Sequence, residues 1–460
     1  MIVSSAFAGK TYAVLGLARS GLATVATLVA SGARVVAWDT REEAQALVAD
    51  KAEIADPLTI DLTGFDGIVV SPGVPLNRHP IAEKAREAGV PVIGDIELFA
   101  LARPTLPPHR VVAITGTNGK STTTALIHHI IQSAAIPTSM GGNIGLPVLG
   151  EEPLSEGGIY VLELSSYQID LTYSLDCDVA VLLNITPDHL DRYDGFEGYV
   201  ASKERLFAMQ TVGHPAVIAV DDDTTRRIAD NLCSCESRSL GKLGATQPGL
   251  LPSQENGVQR VRANDVDTAA QSMWPSLQGP HNAQNAVVAI AVARALGIDE
   301  TVIQSSLKTF SSLPHRMQRV AEVNGVLYVN DSKATNAAST APALAAYPPI
   351  NGKPRIHWIL GGIAKTDNLD ECVPFYGNVA HAYTIGESGH MFADILRPHM
   401  DVDDSEMLLT AVRRTARVAQ PGDVVLLSPA CASFDQFRDF EARGDAFVAA
   451  VHAIGACTDG

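Results

Sequence analysis

The fold of this chain is decided by Thr115-Gly116-Thr117-Asn118-Gly119-Lys120-Ser121-Thr122, a short run of small and polar residues. The apolar run 111–114 precedes it and the segment 123–131 follows it, a pattern that predicts a strand, a tight loop and a helix. Such a loop turns several backbone N–H groups toward one point, where the helix N-terminus adds partial positive charge. We therefore predict a phosphate site for ATP or GTP on an α/β sheet.

Two side chains of this loop suit a nucleoside triphosphate. Lys120 can reach the β- and γ-phosphate oxygens, and the Ser121 hydroxyl can ligate Mg²⁺. The strict pattern G-x-x-x-x-G-K-[ST] requires glycine where Ile114 stands, so it is incomplete at its first position. The alternative is a Gly/Asn turn that precedes a helix and leaves the lysine in solvent. The nucleotide site is favoured because the Gly-Lys-Ser core and its strand-to-helix context agree.

The composition is that of a long, acidic, globular chain. Its 460 residues are 46% hydrophobic and 18% charged, which suits about three domains with sizeable cores. The net charge of −17 at pH 7, without a long basic run, argues against nucleic acid and anionic membranes as partners. We see no signal peptide and no apolar run of about 18 residues, so we expect a cytoplasmic protein without membrane insertion.

The cysteines are scattered, which favours free thiols over a disulfide framework. They are Cys177, Cys233, Cys235, Cys372, Cys431 and Cys457. Cys233 and Cys235 form a C-x-C pair, but no second Cys or His pair stands at zinc-site spacing, so a structural metal is disfavoured.

The first hundred residues show a βαβ pattern with an altered dinucleotide fingerprint. The strand 11–15 leads into Gly16-Leu17-Ala18-Arg19-Ser20-Gly21, and a second strand at 34–38 ends at Asp39. Ala18 stands where glycine would let the backbone approach a pyrophosphate. These residues leave three interpretations open: a nicotinamide cofactor, another nucleotide, or a plain turn of a nucleotide-free α/β domain.

Polar residues follow further predicted strands in the middle of the chain. The strand 159–166 carries Glu163 near its end, and the strand 179–184 runs into a polar loop with His189. A carboxylate beside a phosphate loop on the same sheet is well placed for Mg²⁺. A structural role and a ligand role for His189 are equally open, and the glycine cluster around Asn143 suits a second anionic or sugar-bearing group.

Several motifs together resemble the Mur ligase family, and the resemblance covers nearly the whole chain, from about residue 11 to 447. The phosphate loop without its first glycine is that family's own form. The other matching motifs are 94–99, 141–145, 162–168, 184–192, 279–285 and 428–437. They resemble the branch of the family that adds D-glutamate.

By this resemblance, the phosphate loop and a few later residues would bind ATP. The set is Gly116, Thr117, Asn118, Gly119, Lys120, Ser121, Thr122, Asn282, Asn285, Arg316 and Asp331. Two Mg²⁺ ions would be held by Ser121, Glu163, His189 and Lys203, the last as a carbamate. A carbamate suits a cation because it supplies oxygens and negative charge where an ammonium would be repelled. Lys120, His189, Lys203 and Arg316 would carry the catalysis.

The same resemblance assigns the other two substrates. UDP-N-acetylmuramoyl-L-alanine would contact Arg19, Ser20, Asp39, Thr40, Arg41, Gly73, Asn143 and His189, where the arginines suit a diphosphate. D-Glutamate would contact Lys333, Thr335, Lys365, Ser433 and Phe440, with Ser433 expected at a helix start. The residues flanking Lys365 differ from the commonest family version. Cys431 lies inside the motif 428–437, but ligase chemistry does not need a thiol.

The resemblance implies three α/β domains and an ATP-dependent ligase. Residues 1–105 would form a Rossmann-like UDP-sugar domain, 106–312 a P-loop-type ATPase domain, and 313–460 a Rossmann-like amino-acid-binding domain. The enzyme, expected to be a monomer, would join D-glutamate to the L-alanyl carboxylate through an acyl phosphate, in peptidoglycan precursor synthesis. Alternatives in the superfamily are the ligases for L-alanine or a diamino acid, and folylpolyglutamate synthase. Alternatives of other classes are a nicotinamide oxidoreductase and a non-catalytic nucleotide-binding module.

Overall fold

The computed structural model describes residues 1–211, 213–234, 254–255 and 257–458. In that part of the chain the strands form three sheets that alternate along the sequence with α-helices, so the predicted α/β class is confirmed. Cys235 lies outside the described residues, and with it the C-x-C pair as a possible metal site. No helix among the described residues is long and apolar enough to cross a bilayer.

The strands and helices have the following bounds. The strands are β1 Thr11–Leu15, β2 Arg34–Trp38, β3 Glu53–Ile54, β4 Gly67–Val70, β5 Val92–Ile93, β6 His109–Thr115, β7 Thr138–Gly142, β8 Gly158–Glu163, β9 Val179–Leu182, β10 Ala216–Ala219, β11 Gln254–Glu255, β12 Val258–Val261, β13 Gln318–Val323, β14 Val326–Asn330, β15 Ile356–Gly361, β16 Val379–Ile385, β17 Asp401–Glu406 and β18 Val424–Leu427. The α-helices are α1 Arg19–Ala30, α2 Glu42–Ala46, α3 Ile81–Ala88, α4 Asp95–Ala102, α5 Lys120–Ser133, α6 Ser166–Asp170, α7 Gly195–Ala208, α8 Asp223–Ser234, α9 Thr268–Gln271, α10 Pro280–Ala295, α11 Glu300–Thr309, α12 Ala337–Ala345, α13 Gly389–Leu396, α14 Leu408–Val418 and α15 Phe440–Thr458.

The first sheet has the order β3-β2-β1-β4-β5, and all its strand pairs are parallel. Strands β1 and β4 are almost wholly buried, as is usual in parallel sheets, whose two faces are both covered. Leu15 at the end of β1 lies beside Trp38 and Val70, the last residues of its two neighbours. The turns that follow β1, β2 and β4 therefore share one edge.

The second sheet has the order β11-β12-β10-β9-β6-β8-β7 and is parallel except for the β11–β12 pair. Its interior strand β6 and the neighbouring β8 and β9 are almost wholly buried. Ile114 pairs with Glu163, and Glu163 pairs with Gly142, so β6, β8 and β7 end side by side. The phosphate loop, Glu163 and the glycine cluster thus meet at the carboxyl edge of this sheet, where ligands of α/β proteins bind.

The third sheet has the order β13-β14-β18-β15-β16-β17, with only β13 antiparallel to its neighbour. Strands β15 and β18 are buried along their whole length. The loops after β14, β15 and β18 leave the same edge because these three strands are parallel neighbours.

The chain divides into two compact units by its own contacts. The first unit contains Met1–Asp265 and Asn285–Ser306, and the second contains Val266–Gln284 and Leu307–Gly460. The first two sheets belong to the first unit and the third sheet to the second. The domain boundaries at residues 105 and 312 stay predictions.

Candidate active site

The phosphate loop joins the end of β6 to the start of α5, as the sequence predicted. Gly119, directly before α5, has a φ of 82°, and Gly116 has a φ of 148°. Both values lie where an L side chain is disfavoured, and a Cβ added at Gly116 would stand only 3.0 Å from Leu183 Cβ. The two glycines are therefore required by the backbone of the loop.

Asn285 packs against this loop from α10. A Cβ added at Gly119 would overlap Asn285 Oδ1, which accepts a hydrogen bond from Thr123 Oγ1 at 3.1 Å. Asn282 lies on the same helix, and its Nδ2 donates to Gln278 O at 3.0 Å. Both asparagines therefore lie on one helix, and their role in ATP binding stays a prediction.

The substitution Gly119→Ala should weaken ATP binding by more than about tenfold, because it strains a left-handed backbone and displaces Asn285. We expect a lower Tm and little further stabilisation by a non-hydrolysable ATP analogue with Mg²⁺, both measured by calorimetry. Gly377→Ala is the matched control, since an added Cβ there meets nothing within 4 Å and the φ is not positive. Binding by Gly119→Ala equal to that of the control would contradict this account of the loop.

Asn184, which follows β9, is hydrogen-bonded to the phosphate loop. The Thr117 N–H donates to Asn184 O at 2.8 Å, and the Asn118 N–H donates to Asn184 Oδ1 at 2.8 Å. Asn184 Nδ2 donates back to Asn118 O at 3.1 Å. This reciprocal pairing fixes the curvature of the loop, a role for Asn184 that its sequence position alone did not predict.

Two lysines meet at the carbonyl oxygen of Gly116. Lys120 Nζ donates to it at 2.9 Å and to Thr117 O at 2.8 Å, and Lys203 Nζ donates to Gly116 O at 2.9 Å. Lys203 comes from α7 and is 1% exposed. Burial, followed by the nearby charge of Lys120, lowers the pKa of Lys203 to about 7. The family resemblance assigned both lysines to the catalytic site, and the structure places them at the same carbonyl oxygen. Their catalytic roles stay predictions.

Glu163 is a buried carboxylate with one oxygen unsatisfied. Its Oε1 accepts from Asn143 Nδ2 at 2.8 Å, while Oε2 is buried without a hydrogen-bond partner. An unpaired buried carboxylate oxygen is costly, and a cation is the ligand that satisfies it best. Among the residues that the structure describes, no three His, Cys, Asp or Glu side chains could hold a metal ion together. A single carboxylate such as Glu163 fits Mg²⁺, which is usually held by one or two carboxylates together with substrate phosphates and water.

His189 stands in a tight turn after β9 and has a φ of 53°. Its side chain is 47% exposed and lies near Asp188, with 3.5 Å between Nε2 and Oδ2. The rings of Tyr167 and Tyr199 lie 5.0 and 6.4 Å from the imidazole. Within the described chain no hydrogen bond links His189 to Lys120, Glu163 or Lys203, so its role as a metal ligand stays a prediction.

Most residues predicted for the UDP substrate lie at the carboxyl edge of the first sheet, whereas Asn143 and His189 follow strands of the second. Asp39 accepts from the Leu17 N–H at 2.7 Å and from Arg41 Nε at 3.1 Å, and the Arg41 hydrogen bond is the main reason that its pKa falls to about 2. Arg19 Nη2 donates to Gly145 O at 2.8 Å, which joins the first sheet to the glycine cluster. Thr40 and Gly73 are exposed beside them. Arginine donors and the exposed residues Thr40 and Gly73 therefore lie at the carboxyl edge of the first sheet.

In the second unit, Asp331 follows β14 in a buried position. It accepts from Ser428 Oγ at 2.8 Å and from the Met317 N–H at 3.1 Å, and burial raises its pKa to about 7. Lys333 Nζ lies 3.8 Å from the centre of the Phe440 ring. Two residues predicted for D-glutamate are thus in contact, while Lys365 is exposed in the loop after β15.

The prediction that Ser433 lies at a helix start is wrong. Helix α15 begins at Phe440, and Ser433 lies earlier, in the loop after β18. The physical reason is the cap: Asp439 Oδ1 accepts from the Ala442 N–H at 2.7 Å, as an N-terminal capping residue does. Ser433 is 2% exposed, and its carbonyl accepts from the N–H groups of Gln436 and Phe437. Burial raises the pKa of Cys431 to about 12, so this thiol stays protonated and is not an activated nucleophile.

Arg443 is a residue that sequence reasoning missed. It is 1% exposed, and its guanidinium donates to Ser332 Oγ at 3.0 Å, Ser332 O at 2.9 Å and Cys431 O at 3.0 Å. Longer bonds reach Ala432 O at 3.3 Å and Gly361 O at 3.4 Å. Arg443 thereby ties together the loops after β14, β15 and β18, which carry Lys333, Lys365 and Ser433. A lone arginine in a helix gives no sequence signal for such a role.

Comparison with known proteins places the whole chain in one family. A curated relative from Novosphingobium aromaticivorans, "UDP-N-acetylmuramoylalanine--D-glutamate ligase", is 62% identical over 465 residues and spans 100% of this chain and 99% of its own. The chain belongs to the Mur ligase family. Relatives of the same name from Sphingopyxis alaskensis and Zymomonas mobilis are 61% and 53% identical, and each covers 99% of this chain and 100% of its own length.

Family models divide the chain of this Mur ligase into three matching regions. Residues 10–94 match the Mur ligase MurD-like N-terminal domain, 114–293 the Mur ligase middle domain, and 315–431 the Mur ligase glutamate ligase domain. The predicted organisation as three α/β domains is thereby confirmed.

Solved structures agree with this fold. The D-alanyl-D-alanyl-adding ligase from Acinetobacter baumannii has a TM-score of 0.57 at 17% identity and covers 98% of this chain and 92% of its own. The UDP-N-acetylmuramate-alanine ligase from Thermotoga maritima has a TM-score of 0.54 at 17% identity and covers 96% and 99%. At such identities the likeness concerns the Mur ligase fold alone.

Proposed function

We infer that this chain is an ATP-dependent ligase that forms the amide bond between the L-alanyl carboxylate of UDP-N-acetylmuramoyl-L-alanine and D-glutamate, in peptidoglycan precursor synthesis. The observation that carries this conclusion is identity of 53–62%, over essentially the whole chain, to three curated relatives with that name. The phosphate loop and the buried Glu163 supply the chemistry that such a ligase requires. A nicotinamide oxidoreductase and a simple binding module give no reason for this combination.

The reaction is an activation followed by an aminolysis. The γ-phosphoryl group of ATP is transferred to the L-alanyl carboxylate, which gives an acyl phosphate and ADP. The D-glutamate amine then attacks the acyl carbon, and phosphate leaves the tetrahedral intermediate as the amide forms and the amine releases a proton. The protein's contribution is to hold three charged groups together and to neutralise their charges, as in other phosphoryl transfers.

Lys120 is the residue that we propose for the β- and γ-phosphates. In the described chain its ammonium lies on the carbonyls of Gly116 and Thr117, within the loop that would surround those phosphates. The loop N–H groups and the N-terminus of α5 add positive charge at the same place. We propose that Arg316, Asn282, Asn285 and Asp331 also contact ATP.

Ser121 and Glu163 are the residues that we propose for Mg²⁺, with His189 and modified Lys203 completing sites for two ions. When bound, Mg²⁺ would neutralise phosphate charge and polarise the transferring phosphoryl group. Glu163 fits best, because its buried Oε2 has no protein partner. Ser121 is 3% exposed at the first turn of α5, where its hydroxyl adjoins the phosphate loop.

Carbamylation of Lys203 would resolve the crowding of two ammonium groups at Gly116. The neutral amine of Lys203 would add to CO₂ and lose a proton, so that a positive group becomes a carbamate anion. Such an anion would be attracted to Lys120 and could ligate Mg²⁺. The burial of Lys203 and its hydrogen bond to Gly116 O support the proposal, because both hold the side chain at the phosphate loop.

The other substrates would be bound at the first and third sheets. We propose that Arg19, Ser20, Asp39, Thr40, Arg41, Gly73 and Asn143 contact the UDP-muramoyl group, with His189 at its acyl end. We propose that Lys333, Thr335, Lys365, Ser433 and Phe440 contact D-glutamate. Lys333 and Phe440 support this because their contact places a cation beside an apolar wall, which suits an amino acid with two carboxylates and a methylene chain. The monomeric state also stays a proposal.

A panel assay tests this function. Phosphate release should require ATP, Mg²⁺, UDP-N-acetylmuramoyl-L-alanine and D-glutamate together, since the acyl phosphate forms only on the first acceptor and is consumed only by the amine. L-Glutamate, diaminopimelate and L-lysine should support less than about a hundredth of the rate, because a misplaced amine loses its alignment with the acyl carbon. Turnover with L-glutamate but not D-glutamate would refute the assignment.

A further inference from the structure

A turn that follows a strand of the second sheet is hydrogen-bonded to a loop of the first sheet, mainly through Arg192. The turn, residues 188–192, follows β9 and carries His189; the loop, residues 71–75, follows β4 and carries Gly73. Both lie in the first compact unit of the chain. The UDP-binding edge and the acyl end of the proposed substrate site are therefore physically connected.

The contacts of Arg192 run in two directions. Its Nη2 donates to Val74 O at 2.9 Å and to Pro72 O at 3.5 Å, on either side of Gly73. Its guanidinium carbon lies 4.2 Å from the centre of the Tyr167 ring, and that ring lies 5.0 Å from the His189 imidazole. The Arg192 N–H also closes the turn by donating to His189 O at 2.9 Å. The Arg192 side chain thus contacts both the loop 71–75 and Tyr167, the aromatic neighbour of His189.

Two further hydrogen bonds come from residues just after this loop. Asn77 Nδ2 and Arg78 Nη2 donate to Asp191 O at 3.1 and 3.4 Å. Ser71 Oγ donates to Gly16 O at 2.9 Å, which connects the loop to the turn that holds Arg19. A cavity of about 470 Å³, lined by Val74, Tyr167 and Arg192 among others, lies beside these contacts. The two segments are therefore joined by discrete hydrogen bonds more than by close packing.

His189 needs such support. It has a left-handed backbone that a non-glycine residue adopts at some cost, and its side chain is 47% exposed. A residue in this state keeps one orientation only if its surroundings impose it. Its neighbours are Tyr167, Tyr199 and Asp188, together with the turn that the Arg192 N–H closes.

We propose that Arg192 is a positioning residue for the ligase reaction: it holds the His189 turn against the loop 71–75, so that a substrate seated at that loop presents its carboxylate to a correctly oriented His189. This inference rests on the proposed function and extends it from single residues to their coupling. Arginine is suited to the task because Nη2 donates to two carbonyls while the planar guanidinium stacks on an aromatic ring. Lysine cannot do both.

The test is a double-mutant cycle of Arg192→Gln and His189→Gln in the full chain, assayed by phosphate release. Arg192→Gln alone should lower kcat by about tenfold or more, with the KM for ATP unchanged, since misplacement of a reacting group costs rate and not nucleotide affinity. Arg192→Lys should fall between Arg192→Gln and the unsubstituted protein. On the His189→Gln background, Arg192→Gln should cost nothing further.

Controls separate this role from simple destabilisation. Arg227→Gln removes an exposed arginine that pairs with Glu197 on α7, and it should keep full kcat. If Arg192→Gln does not fold, as judged by its Tm, Asn77→Ala is used instead, because it removes the hydrogen bond to Asp191 O. Asn77→Ala should lower kcat non-additively with His189→Gln. Losses that add across the cycle, or an unchanged kcat, would overturn the inference. An unsubstituted protein that does not turn over D-glutamate would instead refute the proposed function.

Discussion

Lys203→Ala is expected to lower the ligation rate by on the order of a thousandfold while leaving the protein folded. Lys203 Nζ lies at the Gly116 carbonyl beside Lys120, so under the proposed function either form of the side chain would act directly on the phosphates. If it is a carbamate, its loss removes a ligand for Mg²⁺ and an anion that balances Lys120. The rate is measured as phosphate release at saturating substrates.

Rescue distinguishes a carbamate from an ammonium. A short carboxylic acid such as acetate, with Mg²⁺, should restore part of the activity of Lys203→Ala, because it can occupy the vacated space and supply the missing oxygens. A primary amine should restore none. Lys308→Ala, at an exposed position on α11, is the control and should be as active as the unsubstituted protein. Full activity of Lys203→Ala, or rescue by amine alone, would remove the carbamate from the account.

Arg443→Met is expected to lower the free energy of unfolding of the second unit by about 3–5 kcal/mol, because it leaves several buried carbonyls without donors. Those carbonyls belong to the loops after β14, β15 and β18, which also carry the residues proposed for D-glutamate. We therefore also expect a higher KM for D-glutamate, with the KM for ATP changed less. Arg443→Lys should restore little of the lost free energy of unfolding, since one ammonium cannot reach five acceptors.

The stability change can be measured inside the full chain. Trp358 is buried in β15, and its indole N–H donates to Ser428 O at 2.8 Å, so its fluorescence reports on this unit. Urea unfolding would be followed in a background that carries Trp38→Phe and Trp274→Phe. Arg397→Met is the matched control, because this arginine forms an exposed pair with Asp394 on α13. An unfolding midpoint for Arg443→Met equal to that of the control would show that the network is not needed.

The sequence predicted those parts of the site that depend on local pattern. The strand–loop–helix around residues 115–122 follows from two apolar runs and a glycine-rich loop, and the structure places Lys120 at the first residue of α5. Glu163 could be placed at a strand end from its position after an apolar run. Because neighbouring parallel strands end at one edge, its proximity to the phosphate loop followed from the topology alone.

The sequence could not predict side chains that act on distant backbone carbonyls. Arg443 reaches Ser332 and Gly361, and Arg192 reaches Val74, over separations of 82 to 118 positions in the chain. Carbonyl acceptors are present at every residue, so no spacing marks them. Helix α15 starts later than the position expected at Ser433 because Asp439, one of several polar residues in that loop, caps it.

The central claim, that this chain joins D-glutamate to the UDP-muramoyl substrate at the expense of ATP, is tested most directly by competition between the two enantiomers in one reaction. Uniformly ¹³C-labelled D-glutamate and unlabelled L-glutamate would be mixed in equal amounts with ATP, Mg²⁺ and UDP-N-acetylmuramoyl-L-alanine, and the product analysed by mass spectrometry. The account predicts a product that carries the heavy label, formed in equal amount with phosphate. An unlabelled product, or phosphate released without any amide product, would contradict it.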